Sequence, residues 1–370
     1  MRLGLGLYRH MLTTEYYDFA AQAGCTHVII HLVDYFRKGV ANPRSNQPTG
    51  EKYAPWGVAG DPGSLWTVDE MRAARLAIES AGLTLAGIEN LDPSHWHDVL
   101  LDGPRRAEHI ENVKTIVRRM GEAEIPILGY NFSIGGVCGR VTGPFGRGRA
   151  ITVGMDGPAN DVPLPKGTVW NMVYEDSAAG VLPPISHDEL WHRFAQFLEE
   201  VIPVAEQAGV RLALHPDDPP MPTMRCQPRL VYQPSMYQRV LDLMPSRNNA
   251  LEMCVGTLAE MTEGDVYDAV DRYSRQGKVA YVHLRNVKGK VPNYRETFID
   301  EGEVDMVRIL SILKQNGFNG VIIPDHVPQM SCPAPWHAGM THTLGYIAGV
   351  LASLGKPPFN SKETVRMALQ

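Results

Sequence analysis

The chain has 370 residues, 44% of them hydrophobic, and a net charge of −6 at pH 7. That length accommodates one large α/β barrel of typically ~250 residues plus insertions, with enough apolar sequence for a sizeable core. The negative balance, with no block or stripe of Lys and Arg, argues against a nucleic-acid partner but leaves room for a small anionic substrate met by locally gathered basic side chains.

The five cysteines (Cys25, Cys138, Cys226, Cys254, Cys332) are odd in number and scattered, without a C-x-x-C pair. This usage suits a reducing compartment better than a disulfide framework. The apolar run at Met1–Arg9 is too short for a secretory signal, and no stretch approaches the ~20 apolar residues of a membrane span. A soluble, cytoplasmic protein is expected, without membrane contact and assembled as a homo-oligomer.

Short apolar runs alternate with amphipathic stretches along the whole chain. Strand 1 is expected at Leu3–Tyr8, strand 2 at Val28–Leu32, strand 3 at Leu83–Glu89 and strand 4 at Pro126–Phe132. Strand 5 follows at Arg211–His215, strand 6 at Ala250–Cys254, strand 7 at Val279–Leu284 and strand 8 at Gly320–Pro324. Helices are expected at Tyr16–Ala23, Val68–Ala81, Glu108–Met120, Leu190–Ala208 and Val304–Asn316. Ser186 before Asp188-Glu189 and Asp305 in a first turn are start signals, and Ala81-Gly82, Ala208-Gly209 and Asn316-Gly317 are stops. Eight strands with interleaved helices predict a single (β/α)8 TIM barrel spanning residues 1–370, in the α/β class.

Two segments exceed the minimal unit, residues 34–66 after strand 2 and 134–187 after strand 4. Both lie where barrel active sites form, so they are expected to act as lids or substrate walls. Within the second, Arg149–Met155 is expected to pair with Thr168–Tyr174 as a hairpin. A Gly4-x-Gly6 pair lacks the third glycine of a dinucleotide fingerprint, since Arg9 occupies that place.

The last four strands each end in a possible metal ligand: His215, Cys254, His283 and Asp325. Two imidazoles, a thiolate and a carboxylate suit a divalent cation and balance its charge. Their separations of 39, 29 and 42 residues differ from the close pairs of structural zinc sites and favour catalysis. Taken singly, His215 reads as a hydrogen-bonded strand-end histidine and Cys254 as a buried small hydrophobe. Four endings at one level reverse those readings. Pro216 and Pro219 force a turn after His215, leaving Asp217 and Asp218 as turn formers or as groups orienting a ligand.

Arg285, two residues beyond His283 on the same strand face, is a candidate to hold a substrate carboxylate, with a surface ion pair as the alternative. Asp325 is assigned to the metal and His326 to proton transfer, an assignment that the sequence allows to be reversed. Glu89-Asn90 and Tyr130-Asn131 close strands 3 and 4 and could bind hydroxyls. Arg140, Arg147 and Arg149 could bind an acid group, whereas His31 reads as a packed strand residue.

Several runs together resemble mannonate dehydratases. These are Val201–Gly209 leading into His215-Pro-Asp-Asp-Pro-Pro, Met253-Cys254-x-Gly256, Val282–Asn286, Pro324-Asp325-His326 and, in strand 4, Leu128–Phe132. The resemblance implies a xylose-isomerase-like barrel, dependent on Mn²⁺ or alternatively Fe²⁺. It implies conversion of D-mannonate to 2-keto-3-deoxy-D-gluconate by loss of the C2 proton and the C3 hydroxyl. It also implies His215, Cys254, His283 and Asp325 as metal ligands and His326 as the catalytic histidine. The softness of a thiolate ligand would by itself allow Zn²⁺.

The chain departs from the family twice. After Asp325-His326 the family carries a Gly-Tyr-Gly-like segment whose tyrosine assists catalysis. Here Ala334–Gly339 has none, and His337 is the nearest substitute. The family's Asp-Trp-x-Arg type run is replaced by Gly135–Arg140, keeping only Arg140.

The leading expectation is therefore a metal-dependent hydro-lyase giving a 2-keto-3-deoxy acid. His326 and His337 would transfer protons, and Arg285, Arg140, Asn131 and Glu89 would bind the sugar acid. A metal-dependent sugar isomerase or epimerase is the alternative, and a binding protein without turnover is a third.

Overall fold

The computed structural model describes residues 1–39, 48, 53–157, 162–175 and 179–355. The rest of the expected first insertion, 40–47 and 49–52, lies outside the described residues, as do 158–161 and 176–178 of the second.

β1 (Arg2–Leu7) leads through α1 (Thr14–Gln22) to β2 (His27–Ile30). The segment after β2 carries β3 (Gly57–Val58) and ends at α2 (Val68–Ser80). β4 (Thr84–Glu89) is followed by two helices, α3 (Pro93–Leu101) and α4 (Arg106–Glu122), and then by β5 (Ile127–Tyr130). Beyond β5 come β6 (Arg140–Gly146), β7 (Ala150–Asp156), β8 (Thr168–Val169) and β9 (Met172–Val173). α5 (His187–Ala208) returns the chain to β10 (Arg211–Leu214), followed by the small ribbon β11 (Thr223–Met224) and β12 (Gln227–Pro228). α6 (Met236–Leu243), β13 (Asn249–Cys254), α7 (Val255–Glu260), α8 (Val266–Arg275) and β14 (Val279–Leu284) continue the alternation. A hairpin of β15 (Asn286–Lys290) and β16 (Asn293–Thr297) precedes α9 (Met306–Gln315), β17 (Val321–Pro324) and α10 (Pro335–Ser353).

Eight strands close a parallel barrel in the order β1-β17-β14-β13-β10-β5-β4-β2. Each is an apolar run because strands in such a barrel are covered on both faces. β13 and β14 are buried along their whole length. Side-chain alternation splits them into two sets. One set faces the helices and joins the large core with Leu3, Val28, Leu128 and Met253. The other, with Ile29, Ala213, Ala250, Ala280, Tyr281 and Ile323, plugs the barrel interior. His215, Cys254, His283 and Asp325 continue that inward set at the carboxyl ends of β10, β13, β14 and β17.

The helix signals operate at the atomic level. Ser186 Oγ accepts the Glu189 amide at 3.1 Å, filling one of the unpaired donors of the first turn of α5. Asp305 is the cap of α9, accepting the Arg308 amide at 3.0 Å. Gly209 ends α5 with φ 70°, a conformation that favours glycine.

The expected hairpin between Arg149–Met155 and Thr168–Tyr174 is not formed. β7 instead pairs antiparallel with the preceding β6, and Thr168-Val169 pairs with Met172-Val173. The chain reverses at Gly146–Arg149, where Gly148 takes φ 63°. The other edge of β7 is taken by β16, so residues 168–174 have no open edge to join. The result is a four-stranded sheet, β15-β16-β7-β6, standing over the barrel mouth. Among the described residues, no helix is long and apolar enough to cross a membrane.

Candidate active site at the carboxyl ends of the barrel strands

Ligand atoms of His215, Cys254 and His283 lie within 4.8 Å of one another. Asp325 adjoins them, with its carboxylate oxygens 3.6 Å from Cys254 Sγ and 3.7 Å from His283 Nδ1. The chain turns sharply after β10, and His215 Nδ1–H donates to the Pro216 carbonyl at 2.6 Å. That bond leaves Nε2 as the ring nitrogen a cation could take. His283 is arranged the other way round: Nε2 lies 3.1 Å from Glu89 and 3.0 Å from Glu252, while Nδ1 is buried without a hydrogen-bond partner. A buried polar atom left unpaired is costly, and a cation among these residues would satisfy it.

The charge pattern agrees. Burial alone would raise the Cys254 thiol, but Arg285 and the adjoining His215 and His283 imidazoles bring it down to about 6. Burial would also raise Asp325, yet His326, Arg285 and His283 hold it well below the ordinary carboxylate range. Burial would lower His215, but Glu252 and Cys254 push it up to about 10. The acid-rich shell that keeps protons on the imidazoles is the kind of shell that attracts a divalent cation in their place. The residues therefore fit a metal.

Behind His283 sits a group the sequence reading did not assemble. Tyr281 Oη donates to Glu252 and lies 3.1 Å from Glu89. Burial and the adjoining Glu89 push Glu252 up to about 8, whereas His283 and His31 overcome the burial of Glu89 and hold it at about 2. Glu252 had a legible signal, since two-residue alternation in β13 puts it on the face of Cys254.

Above the ligand cluster opens a cavity. Its floor includes His215, His283, Asp325 and Glu89, and its rim includes His326, Arg140, Asn131 and His31. His326 Nδ1 lies 3.0 Å from the Glu296 carboxylate, which leaves Nε2 directed away from that partner. Arg140 is only 2% exposed and ion-paired through Nη2 to Asp218, while its Nε and Nη1 are buried without acceptors. Asn131 Nδ2 donates to Asn90 Oδ1 at 2.8 Å. His31 is buried as expected of a packed residue, but it lines the cavity and meets Tyr35 Oη at 2.9 Å. Trp56 and Trp170 form the aromatic wall, ring centroids 5.6 Å apart, and neither indole N–H has an acceptor among the described residues.

Cys254 is fully buried below the cavity beside the other ligand candidates, and two further expected site residues, Arg285 and His337, are not brought to it. Arg285 is buried beneath it, with Nη1 2.7 Å from Glu296, Nη2 3.0 Å from Glu260 and 3.1 Å from Asp218, and Nε 3.5 Å from Asp325. A guanidinium already facing four carboxylates has no open edge for a substrate acid group. His337 lies in the first turn of α10, its ring stacked on Tyr16 at 5.5 Å and edge-on to Phe19 at 4.8 Å. The chain rises from β17 into α10 and carries His337 down the outside of α1 instead of over the mouth.

A family model described as D-mannonate dehydratase (UxuA) matches residues 38–139 and 178–360, leaving out 140–177. The mannonate dehydratase of Streptococcus pneumoniae (strain 70585) is 30% identical over 280 residues, which is 71% of this chain and 75% of that protein. Mannonate dehydratase 2 of Halalkalibacterium halodurans is 32% identical over 278 residues, covering 71% of this chain and 79% of its own. The crystal structure of mannonate dehydratase from Streptococcus suis serotype 2 superposes with a TM-score of 0.68 at 23% identity, over 97% of both chains. A D-tagatose 3-epimerase-like protein shares the barrel more distantly, with a TM-score of 0.57 at 12% identity over 96% of this chain and 98% of that one. With a family model spanning most of its length and a relative 32% identical across 71% of its residues, the chain belongs to the D-mannonate dehydratase family of hydro-lyases.

Proposed function

We propose that this enzyme dehydrates D-mannonate or a closely related sugar acid to the 2-keto-3-deoxy acid, using a divalent cation held by His215 Nε2, Cys254 Sγ, His283 Nδ1 and Asp325. Mn²⁺ is the favoured ion, with Fe²⁺ and Zn²⁺ as alternatives. The observation that carries the reading is the unpartnered, buried His283 Nδ1 facing Cys254, His215 and Asp325 at the floor of the cavity. The cation would supply Lewis acidity to the oxygens of the substrate's carboxylate end.

The residues of the chain divide the remaining work. The unpaired Nη1 of Arg140 offers a charge-assisted donor to a substrate carboxylate, and the bond from Nη2 to Asp218 fixes the direction of the guanidinium. The Trp56 and Trp170 indoles offer N–H donors to hydroxyls further along the chain of the sugar. His326, with Nδ1–H donated to Glu296, presents Nε2 as the base that removes the proton α to the acid group. The two insertions, through Trp56 and Trp170, wall the cavity.

Metal analysis of the purified protein followed by incubation of a sugar-acid panel with added Mn²⁺ tests this. The expected product is lighter than its substrate by one water and carries a 2-keto group. A product of unchanged mass would replace the reading with an isomerase or epimerase, and a metal-free protein active in chelator would remove the cation from it.

A further inference from the structure

Dehydration needs two proton transfers at adjacent carbons. One proton leaves carbon, and another must reach the departing hydroxyl so that it leaves as water and not as hydroxide. His326 supplies the first function, and His337, the residue that sequence offered for the second, packs on α1. Resting on the functional reading above, we propose that Tyr8 is the acid that protonates the hydroxyl expelled from C3.

Four observations carry this. β1 lies in register beside β17, with Leu3 opposite Ile322, so the end of β1 emerges next to Asp325-His326. Tyr8 follows β1 directly and lines the same cavity as those two residues. Its ring is held from several sides, 4.8 Å from His31 and 5.9 Å from Tyr35, centroid to centroid. Its hydroxyl makes no hydrogen bond among the described residues.

The other phenols are accounted for. Tyr35 also lines the cavity, but its oxygen is engaged by His31 at 2.9 Å and by Asn90 Nδ2 at 3.0 Å. Tyr281 is engaged by Glu89 and Glu252 behind His283. The hydroxyls of Tyr130 and Tyr294 are also unpaired, but neither residue lines the cavity. Tyr8 is thus the phenol on the cavity wall whose proton is uncommitted.

The step balances. The C2–H bond breaks first, its proton going to His326 and its electron pair delocalising into the adjoining carboxylate, and that pair then returns to form the C2=C3 bond. The C3–O bond breaks and takes the Tyr8 proton, releasing water and leaving an enol and a phenolate. When the enol collapses to the ketone, its hydroxyl proton returns to Tyr8 and the His326 proton is delivered to C3.

The test is Tyr8→Phe, which removes one oxygen and keeps the packed ring, assayed as Mn²⁺-loaded protein beside wild type. The expected result is a fall in kcat of about 100-fold or more, with unchanged metal content and KM within a few-fold. In D₂O the variant should still exchange the substrate's C2 hydrogen, because His326 is intact, while elimination stalls. A variant with kcat within threefold of wild type overturns the assignment. So does loss of C2 exchange in parallel with elimination, since that pattern marks a structural role. A wild type that dehydrates no sugar acid sinks the functional reading and the assignment with it, whereas a dehydrating wild type beside a fully active Tyr8→Phe sinks Tyr8 alone.

Discussion

Glu296, on a hairpin outside the barrel, fixes the tautomer of His326 at the end of the last barrel strand. The Nδ1 atom lies 3.0 Å from one carboxylate oxygen and 3.2 Å from the other. The carboxylate is itself anchored by Arg285 at 2.7 Å, so His326, Glu296 and the buried guanidinium form a chain. In the proposed role, Nε2 is basic only while Nδ1 keeps its proton. Glu296→Gln should lower kcat by about 10–100-fold, the usual effect of removing an orienting partner, with little change in KM. Steady-state kinetics decide it, and an unchanged kcat would free His326 from this dependence.

The ligand set and the base should separate cleanly by metal analysis. Cys254→Ala and His283→Ala are expected to purify with little bound metal and no turnover. His326→Ala should abolish turnover while keeping its metal, and loss of metal there would move His326 into the coordination shell. Chelation of the wild type should also lower its melting temperature. A ligand at 100 times its dissociation constant stabilises the fold by about 2.7 kcal/mol.

Trp170 is 4% exposed and its indole N–H has no acceptor among the described residues. If it donates to a substrate hydroxyl, Trp170→Phe removes one hydrogen bond, about 0.5–1.5 kcal/mol, and should raise KM roughly two- to tenfold while leaving kcat nearly intact. A matching fall in kcat with KM unchanged would make the indole a transition-state contact instead.

His109 provides a pH prediction away from the reaction. It is fully buried, accepts the Asp98 amide on Nδ1 at 3.0 Å, and is held down to about 4 by burial and the neighbouring His97 and Arg105. In the unfolded chain an ordinary histidine titrates near ~6.5. Between these values the unfolded state binds the extra proton, so stability is lost as pH falls from about 6.5 toward 4. The slope for one such group is at most ~1.4 kcal/mol per pH unit. His109→Asn keeps an acceptor near Nδ1 without a titrating ring, and denaturant unfolding at pH 7 and pH 5 should show a smaller acid loss for the variant. An identical loss would show that other groups govern acid sensitivity.

Much of the barrel was legible because period and punctuation agree. All eight expected strands overlap the observed ones, with ends shifted by two residues at most, and β14 at Val279–Leu284 coincides. The four ligand candidates could be aligned because a parallel barrel brings its strand ends to one level, so position within a strand becomes position in space. Partners that arrive from outside this register were hidden. Glu296 sits on the β15–β16 hairpin, and nothing in its neighbourhood marks it as the companion of a histidine 30 residues away. Arg285 shows the same limit: alternation gives its direction but not the buried Glu260, Asp218 and Glu296 waiting there. The hairpin register failed because the sequence does not reveal that β16 would occupy the second edge of β7.

The sheet over the mouth ties together parts that the chain keeps far apart. Arg140 opens β6, Met155 and Gly154 of β7 pair with Tyr294 and Arg295, and Glu296 follows them on β16. Arg140, proposed to meet the substrate carboxylate, and Glu296, the partner of His326, thus ride on one sheet. Exchanging the loop after β5 with that of a relative would therefore retune proton transfer along with substrate choice, and successful grafts should require compensating changes in the β15–β16 hairpin.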